Sequence, residues 1–507
     1  MIRIVGGGLA GCEAAWQAAS AGVPVTLYEM RPVRSTAVHK TDRLAELVCS
    51  NSFRGDKIDN AVGLLKEEMR RLGSLVLRVA DASRVPAGAA LAVDRDRFAD
   101  AMTEAVAGHP LITVVREEVA ILPEATASEP VIVSTGPLTS EALSADIARL
   151  VGGKHLYFYD AISPIILAES IDQSKVFRQS RWDRNIRAGG AGRAGWAGTT
   201  SEAGRAGQGE PAGAAGEAGR AGEAGRAGGP GGTGHAGGSD AGDAGPALAC
   251  GIDDGQGDYL NCPLTREEYE RFYDALTHAE SATVHDFDKE RYFEGCLPIE
   301  VMAHRGVDTL RFGPMKPVGL TDPRTGRPPY AAVQLRQDNL AADHFSMVGF
   351  QTQIKWGDQA RVLRLIPGLE QAEFVRFGMV HRNTYVNGPT VLSETWQVRS
   401  RPALFFAGQM SGVEGYVESA ASGLIAGLNA AALALGRSTS APPRTTAIGA
   451  LAYYASHADP AHYEPSNITF GIMEPLVTPP RGKMERKLAM ANRALEDLAV
   501  WMRDREA

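Results

Sequence analysis

Residues 2–11 read IRIVGGGLAG, and this stretch decides the fold. An apolar strand (Ile2, Ile4, Val5) runs into Gly6-x-Gly8-x-x-Gly11 and then into the helical pattern CEAAWQAASAG. A second strand, Val25-Thr-Leu-Tyr-Glu29, ends on an acid. A dinucleotide-binding unit requires this order of strand, glycine turn, helix, strand and acid. Gly6 permits the tight turn, Gly8 lets backbone approach a pyrophosphate, and Gly11 lets the helix pack closely on the strand. The helix N-terminus faces the phosphates and Glu29 faces a ribose hydroxyl. The residues expected at the nucleotide are therefore Gly6, Gly7, Gly8, Leu9, Ala10, Gly11 and Glu29.

Two later segments extend the reading. VIVSTGP (131–137) is a buried-strand pattern that ends beside Gly136. LFFAGQ (404–409) is another, and it leads through SGVEG into the small-residue helix ESAASGLIAGLNAA. Together the three segments resemble flavoproteins of the glutathione reductase type. That resemblance implies FAD as resident cofactor, with Gly408 and Gln409 near the flavin end. It also implies an α/β fold with a discontinuous FAD-binding domain, N-terminal and C-terminal parts sharing one sheet.

The expected organisation follows from these anchors. Residues 1–150 form the first part of the FAD-binding domain and 376–445 the second. The turn-rich stretch 151–375 is an inserted α+β domain, and 446–507 is a C-terminal helical tail. NAVGLLKEEMRRL (60–72) has helical apolar spacing at Val62, Leu65, Met69 and Leu72. Residues 187–247 are mostly Gly and Ala, with Gly at every third position across 217–228. A collagen-like strand needs Pro-rich repeats and three chains. A helix is opposed by about 1 kcal/mol per interior Gly relative to Ala. This low-complexity segment is therefore read as a disordered insertion.

The 507 residues imply about three domains. With 44% hydrophobic and 22% charged residues the chain reads as globular. No run of 18 or more apolar residues appears, so no membrane span is expected, and the nucleotide strand at residue 2 leaves no room for a signal peptide. The five cysteines, Cys12, Cys49, Cys250, Cys262 and Cys296, have no metal-like spacing, so no metal is expected and a reducing cytoplasm is. A net charge of −8 argues against a general nucleic-acid coat but allows a local basic patch.

Cys49 lies in LVCSNSFRG and Cys262 in DYLNCPLTREEY, both among polar and turn-forming residues. Buried core is the usual fate of a cysteine, yet these two contexts look less core-like than that of Cys12 on the first helix. The phrases ELVCSNSFRGD, DYLNCPLTREEY, YFEGCLPIEVMAHRG, DTLRFGPMKPVGL, MVGFQTQIKWGDQ, MVHRNTYVN and FFAGQMSGVEGYVESAASGL resemble the bacterial folate- and FAD-dependent tRNA (uracil-5-)-methyltransferases. The likeness spans nearly everything outside 187–247. It implies methylation of the T-loop uridine (position 54) of tRNA, with 5,10-methylenetetrahydrofolate as carbon donor, reduced FAD as reductant, and NADPH or NADH to recharge the flavin. It further implies Cys262 as the first choice of nucleophile at uracil C6, with Cys49 near the flavin, either as the partner acid/base or as a thiol that traps the flavin adduct, the division of roles between the two staying open. Asn51 and Arg54 are expected near the flavin. A flat side chain, His344 or His381 by type, would cap the folate pterin.

Arg481, Lys483, Arg486, Lys487 and Arg493, against Glu485 alone, suggest a phosphate footprint for tRNA. The rival readings are a wobble-uridine-modifying flavoprotein and a flavin oxidoreductase that does not act on RNA. The first expects a long C-terminal helical domain. The second, as a disulfide reductase, expects a paired-cysteine motif, which this sequence lacks. Oligomeric state is not legible.

Overall fold

Ile2–Val5 pairs in parallel with Val25–Glu29 on one side and Val131–Val133 on the other. The computed structural model describes residues 1–36, 38–152, 156–183, 257–281 and 297–506. They belong to one unit, 1–188 with 253–507; the second unit, 189–252, and with it most of the low-complexity segment 187–247, lies outside the described residues. The first sheet runs in the order Gln397–Val398, Arg401–Phe406, Val131–Val133, Ile2–Val5, Val25–Glu29, Ile112–Arg116. All neighbours are parallel except the antiparallel pair at the Gln397 edge. Strands from both ends of the chain thus share one sheet, and their central residues are buried as continuous apolar runs.

The helices Leu9–Ser20 and Tyr416–Ala434 close this sheet. A Cβ on Gly423 would lie 2.2 Å from the Ala10 carbonyl oxygen, and one on Gly11 would lie 1.8 Å from that of Gly6. Only glycine allows either approach. Tyr416–Ala434 is apolar and long enough to cross a membrane, but 78% of its apolar window is buried, as befits a core helix. The predicted 60–72 helix forms as Ala61–Arg71, with Asn60 accepting a hydrogen bond from the Gly63 N–H as its cap. The tail forms the helix Lys483–Glu506, whose Ala491, Ala494 and Leu498 join the same core.

A second, antiparallel sheet is ordered Phe177–Arg178, Tyr259–Leu264, Ala331–Gln337, His344–Met347, Ile165–Leu167, Phe374–Arg376. Register separates its faces. Leu260 faces Leu335 and Cys262 faces Val333, and these residues pack on Tyr269, Phe272 and Phe350. Tyr259 faces Arg336 and Asn261 faces Gln334 on the opposite, polar face. That polar face is also buried: the Tyr259 hydroxyl donates to the Ala87 carbonyl at 2.9 Å, and Arg336 Nε donates to Asn51 Oδ1 at 2.8 Å.

Candidate functional site

A cavity of about 430 Å³ opens between the glycine turn and the polar face of the second sheet. At one end it is lined by Gly6, Gly7, Gly8, Leu9, Ala10, Glu29 and Gly136. Gly11 does not line it, because its Cα faces the Gly6 carbonyl instead. Gly8 caps the first helix without a side-chain acceptor, and a Cβ there would meet nothing within 4 Å. Bare helix N–H groups therefore face open space, as a pyrophosphate requires.

Glu29 is buried. Its carboxylate accepts from the Gly7 N–H at 3.1 Å, the Arg31 N–H at 3.0 Å and Arg31 Nε at 2.8 Å. Burial alone would raise its pKa, but the hydrogen bonds and charge of Arg31, with the Gly7 N–H, hold it below the usual carboxylate value. Glu29 thus stays ionised at the cavity wall.

The other end is lined by Cys49, Arg54, Arg336, Gly408, Gln409 and Tyr416. Gly415 begins the helix Tyr416–Ala434, again with no side-chain cap, so a second bare helix N-terminus faces the cavity. Two uncapped helix ends and a glycine cradle along one elongated space fit an FAD: pyrophosphate at the first helix, flavin ring toward the second. Gln409 Nε2 donates to Glu414 at 2.8 Å, and Arg54 is held by Glu418 and Asn467.

Cys49 sits in a cationic nest. The Tyr416 hydroxyl accepts from the Cys49 N–H at 2.8 Å and the Ser50 N–H at 3.2 Å, which fixes the loop. Arg376 donates to the Val48 carbonyl at 2.9 Å and the Cys49 carbonyl at 3.3 Å. Arg95 reaches the Leu47 carbonyl and pairs with Asp338 at 2.8 Å. Arg336 reaches Ser50 Oγ at 3.0 Å. Three guanidiniums thus surround the thiol loop, with Asp338 as the nearby acid. Burial, then the charge of Arg95, pushes the Arg376 pKa down to about 10, while a negative charge on Cys49 attracts both arginines. Arg95 Nη2 and Arg376 Nε are buried without an acceptor among the described residues, so this nest has spare capacity for an anion.

Several sequence expectations are corrected here. Cys262 is not in a turn-like, accessible setting: it is 0% exposed and lies in the apolar core behind the second sheet. Burial pushes its thiol pKa up, with Glu370 adding to the shift. Register puts it on the face opposite Arg336, so sheet backbone separates it from the cavity that Cys49 lines. The sequence misleads because its polar neighbour Asn261 points to the other face, where it donates to the Gln179 carbonyl at 2.9 Å.

His344 is not at the cavity either; it pairs with Asp343 at 3.1 Å. His381 lies on the strand Val380–Tyr385 opposite Asp160, and its side chain falls outside the described residues. Asn51 does not line the cavity but clamps the Val93 and Gln337 carbonyls, both at 3.0 Å. Arg481, Lys483 and Arg486 are exposed, Lys487 lies 5.8 Å over the Phe470 ring, and Arg493 is spent on the Glu474 and Pro475 carbonyls.

Arg95, Arg336, Arg376 and Tyr416 were not singled out from sequence. Tyr416 alone had a local signal, as the first helical residue after the SGVEG turn.

The family model described as glucose inhibited division protein A matches residues 1–189 and 249–438. A Pelotomaculum thermopropionicum protein named methylenetetrahydrofolate--tRNA-(uracil-5-)-methyltransferase TrmFO is 52% identical over 497 residues, covering 98% of this chain and 97% of the relative. The protein of that name from Enterococcus faecalis is 49% identical over 98% of this chain and 97% of its own length. Among solved structures, Aquifex aeolicus GidA (form II crystal) has a TM-score of 0.61 at 16% identity, covering 98% of this chain and 73% of that one, a likeness of fold.

Proposed function

This chain belongs to the methylenetetrahydrofolate--tRNA-(uracil-5-)-methyltransferase family, within the wider glucose inhibited division protein A family, and from that premise we propose that Cys49 is the thiol that adds to the uracil ring. The chain methylates C5 of a uridine in tRNA and takes the carbon from methylenetetrahydrofolate. The observation that carries the residue-level reading is that Cys49, of the three described cysteines, is the one lining the FAD cavity.

C5 of uracil is a weak nucleophile. A thiolate that bonds to C6 pushes the ring's electrons onto C5 and the C4 oxygen, so that C5 can bond the incoming carbon. The C5 proton then leaves, the bond from the transferred carbon to the folate nitrogen breaks as that carbon is reduced to a methyl, and the sulfur–C6 bond breaks, which releases the thiolate. The transferred carbon is more oxidised than a methyl group, and reduced FAD, when bound, would supply the two electrons that reduce it.

The chain's own residues do the rest. A thiol near pKa 8.5 is mostly protonated at neutral pH. Arg95 and Arg376, packed against the main chain of the Cys49 loop, favour its charged form. The Tyr416 hydroxyl keeps the loop in place. His381 remains the proposed cap of the folate pterin, since its strand packs beside the cavity-lining turn Gly136–Leu138.

NADPH or NADH recharges the flavin, and the T-loop uridine is the target base. The tRNA backbone meets Arg481, Lys483, Arg486 and Lys487. Lys487 overlies Phe470, only three positions from the cavity-lining Asn467, so this basic helix start lies within reach of the cavity rim.

The test is to incubate the yellow protein with unmodified tRNA, NADPH and methylenetetrahydrofolate labelled on its methylene carbon. Labelled 5-methyluridine in the T loop is expected. A flavin that is reduced while the RNA stays unlabelled would overturn the reading.

A further inference from the structure

Three aromatic rings stand in a row on chain segments that connect to the cavity. Trp356 stacks on Phe377 with centroids 6.2 Å apart and planes 20° from parallel, and Phe377 stacks on Phe374 at 5.1 Å and 26°. Trp356 ends the row. It is 61% exposed, so with one face against Phe377 its other face is open to solvent. The row is held rigidly. Gln359, on the helix that Trp356 begins, accepts from the Gly378 N–H at 2.8 Å and donates to the Gly378 carbonyl at 2.8 Å. This amide clasp ties the Trp356 helix to the chain segment carrying Phe377.

Both supporting segments lead straight to the reaction cavity. Gln351, five positions before Trp356, lines it. Arg376, beside Phe377, holds the Cys49 carbonyl, and Met379, two positions beyond Phe377, packs on the same small apolar cluster of Val38, Val48 and Ile162 as Cys49 does. The charges around the row are mixed, with the exposed Glu373 next to Phe374. The ion pairs Lys355–Glu280 and Arg361–Asp358 cancel. Arg364 and Arg376 donate instead to main-chain carbonyls, those of Ala372 and of Val48 and Cys49, and neither has a carboxylate partner among the described residues.

An open aromatic face, with the exposed Arg364 held at the Ala372 carbonyl near its Phe374 end, is chemistry that can hold an unpaired nucleobase and a phosphate. We propose that the Trp356–Phe377–Phe374 stack is a platform for an unpaired base of the tRNA substrate, next to the uridine that enters the cavity. The need for it is physical. A uridine can reach Cys49 only by leaving its own stack, and its neighbour then loses a stacking partner, which Trp356 replaces. The proposal rests on the tRNA reading above and adds where the substrate is gripped.

The test compares Trp356→Leu and Trp356→Phe with the parent protein, using unmodified tRNA and FAD-loaded enzyme. Trp356→Leu keeps an apolar side chain without a ring face. It is expected to raise the Kd and KM for tRNA roughly ten-fold with kcat nearly kept, and Trp356→Phe is expected to restore most of the loss. The FAD spectrum and thermal midpoint should not move, which separates a lost contact from a misfolded protein. Unchanged tRNA affinity in Trp356→Leu, in an enzyme that still methylates, overturns the platform and leaves the function standing. A parent protein that neither binds nor methylates tRNA overturns the functional reading, and the platform with it.

Discussion

Cys49 and Cys262 stand in sequence settings of similar polarity and end in opposite surroundings. Cys49 lies on a loop pinned by Tyr416 and ringed by Arg95, Arg336 and Arg376 at the edge of the FAD cavity. Cys262 lies mid-strand against Phe272, Phe350 and Val333. Burial by itself suppresses a thiolate; burial among cations sustains one. The difference between the two thiols' surroundings is therefore set by what long-range packing delivers, not by the neighbouring residues in the chain.

The two thiols can be told apart experimentally. The largest effect is expected from Cys49→Ala, which should cut methylation by at least about 10³-fold while FAD absorbance is retained. Cys262→Ala should keep methylation and lose stability of about 1–2 kcal/mol through a small core cavity, read by denaturant unfolding. A folded, yellow, inactive Cys262→Ala protein would break the comparison and mean that the second sheet opens during catalysis. Next, Arg376→Gln should slow iodoacetamide alkylation of Cys49 at neutral pH by about ten-fold and move its pH profile upward, since only the thiolate reacts. An unchanged profile would remove Arg376 from the nest's function.

The same contrast holds for carboxyls. Arg31 keeps the buried Glu29 ionised, whereas burial pushes Glu68 up to about 8 despite its hydrogen bonds from the Ala447 and Ile448 N–H groups. The folded protein then holds a proton that the unfolded chain releases, so this contribution to stability is lost as pH rises from about 4.5 to about 8. Glu68→Gln should flatten that slope, the smallest of these effects, measurable as the thermal midpoint against pH.

How much was legible in the sequence follows the same division. The strand, glycine turn, helix and acid of residues 2–29 are contiguous, and each has a local reason, so this unit of the fold could be read directly. The sharing of one sheet by Val131–Val133 and Arg401–Phe406 could be read from their apolar runs and glycine ends. Cys262 was misread because both faces of its strand are buried, one apolar and one polar. Alternation along Tyr259–Leu264 therefore reports two kinds of interior rather than inside and outside. Arg376 carried no sign of its role, and Tyr416 only its place after the SGVEG turn, since they meet Cys49 across 327 and 367 positions of chain.

That last separation also has a consequence in time. The hydroxyl that pins the Cys49 loop is made 367 residues after the loop itself. At ~5–20 residues per second, the ribosome exposes the thiol loop for roughly 20–70 seconds before Tyr416 exists to hold it. The second sheet, whose strands are complete by Arg376, can close before then. Only after it does the late helix arrive to finish the site, so the cofactor cleft is among the last features to form, and a nascent chain stalled before Tyr416 should carry no flavin.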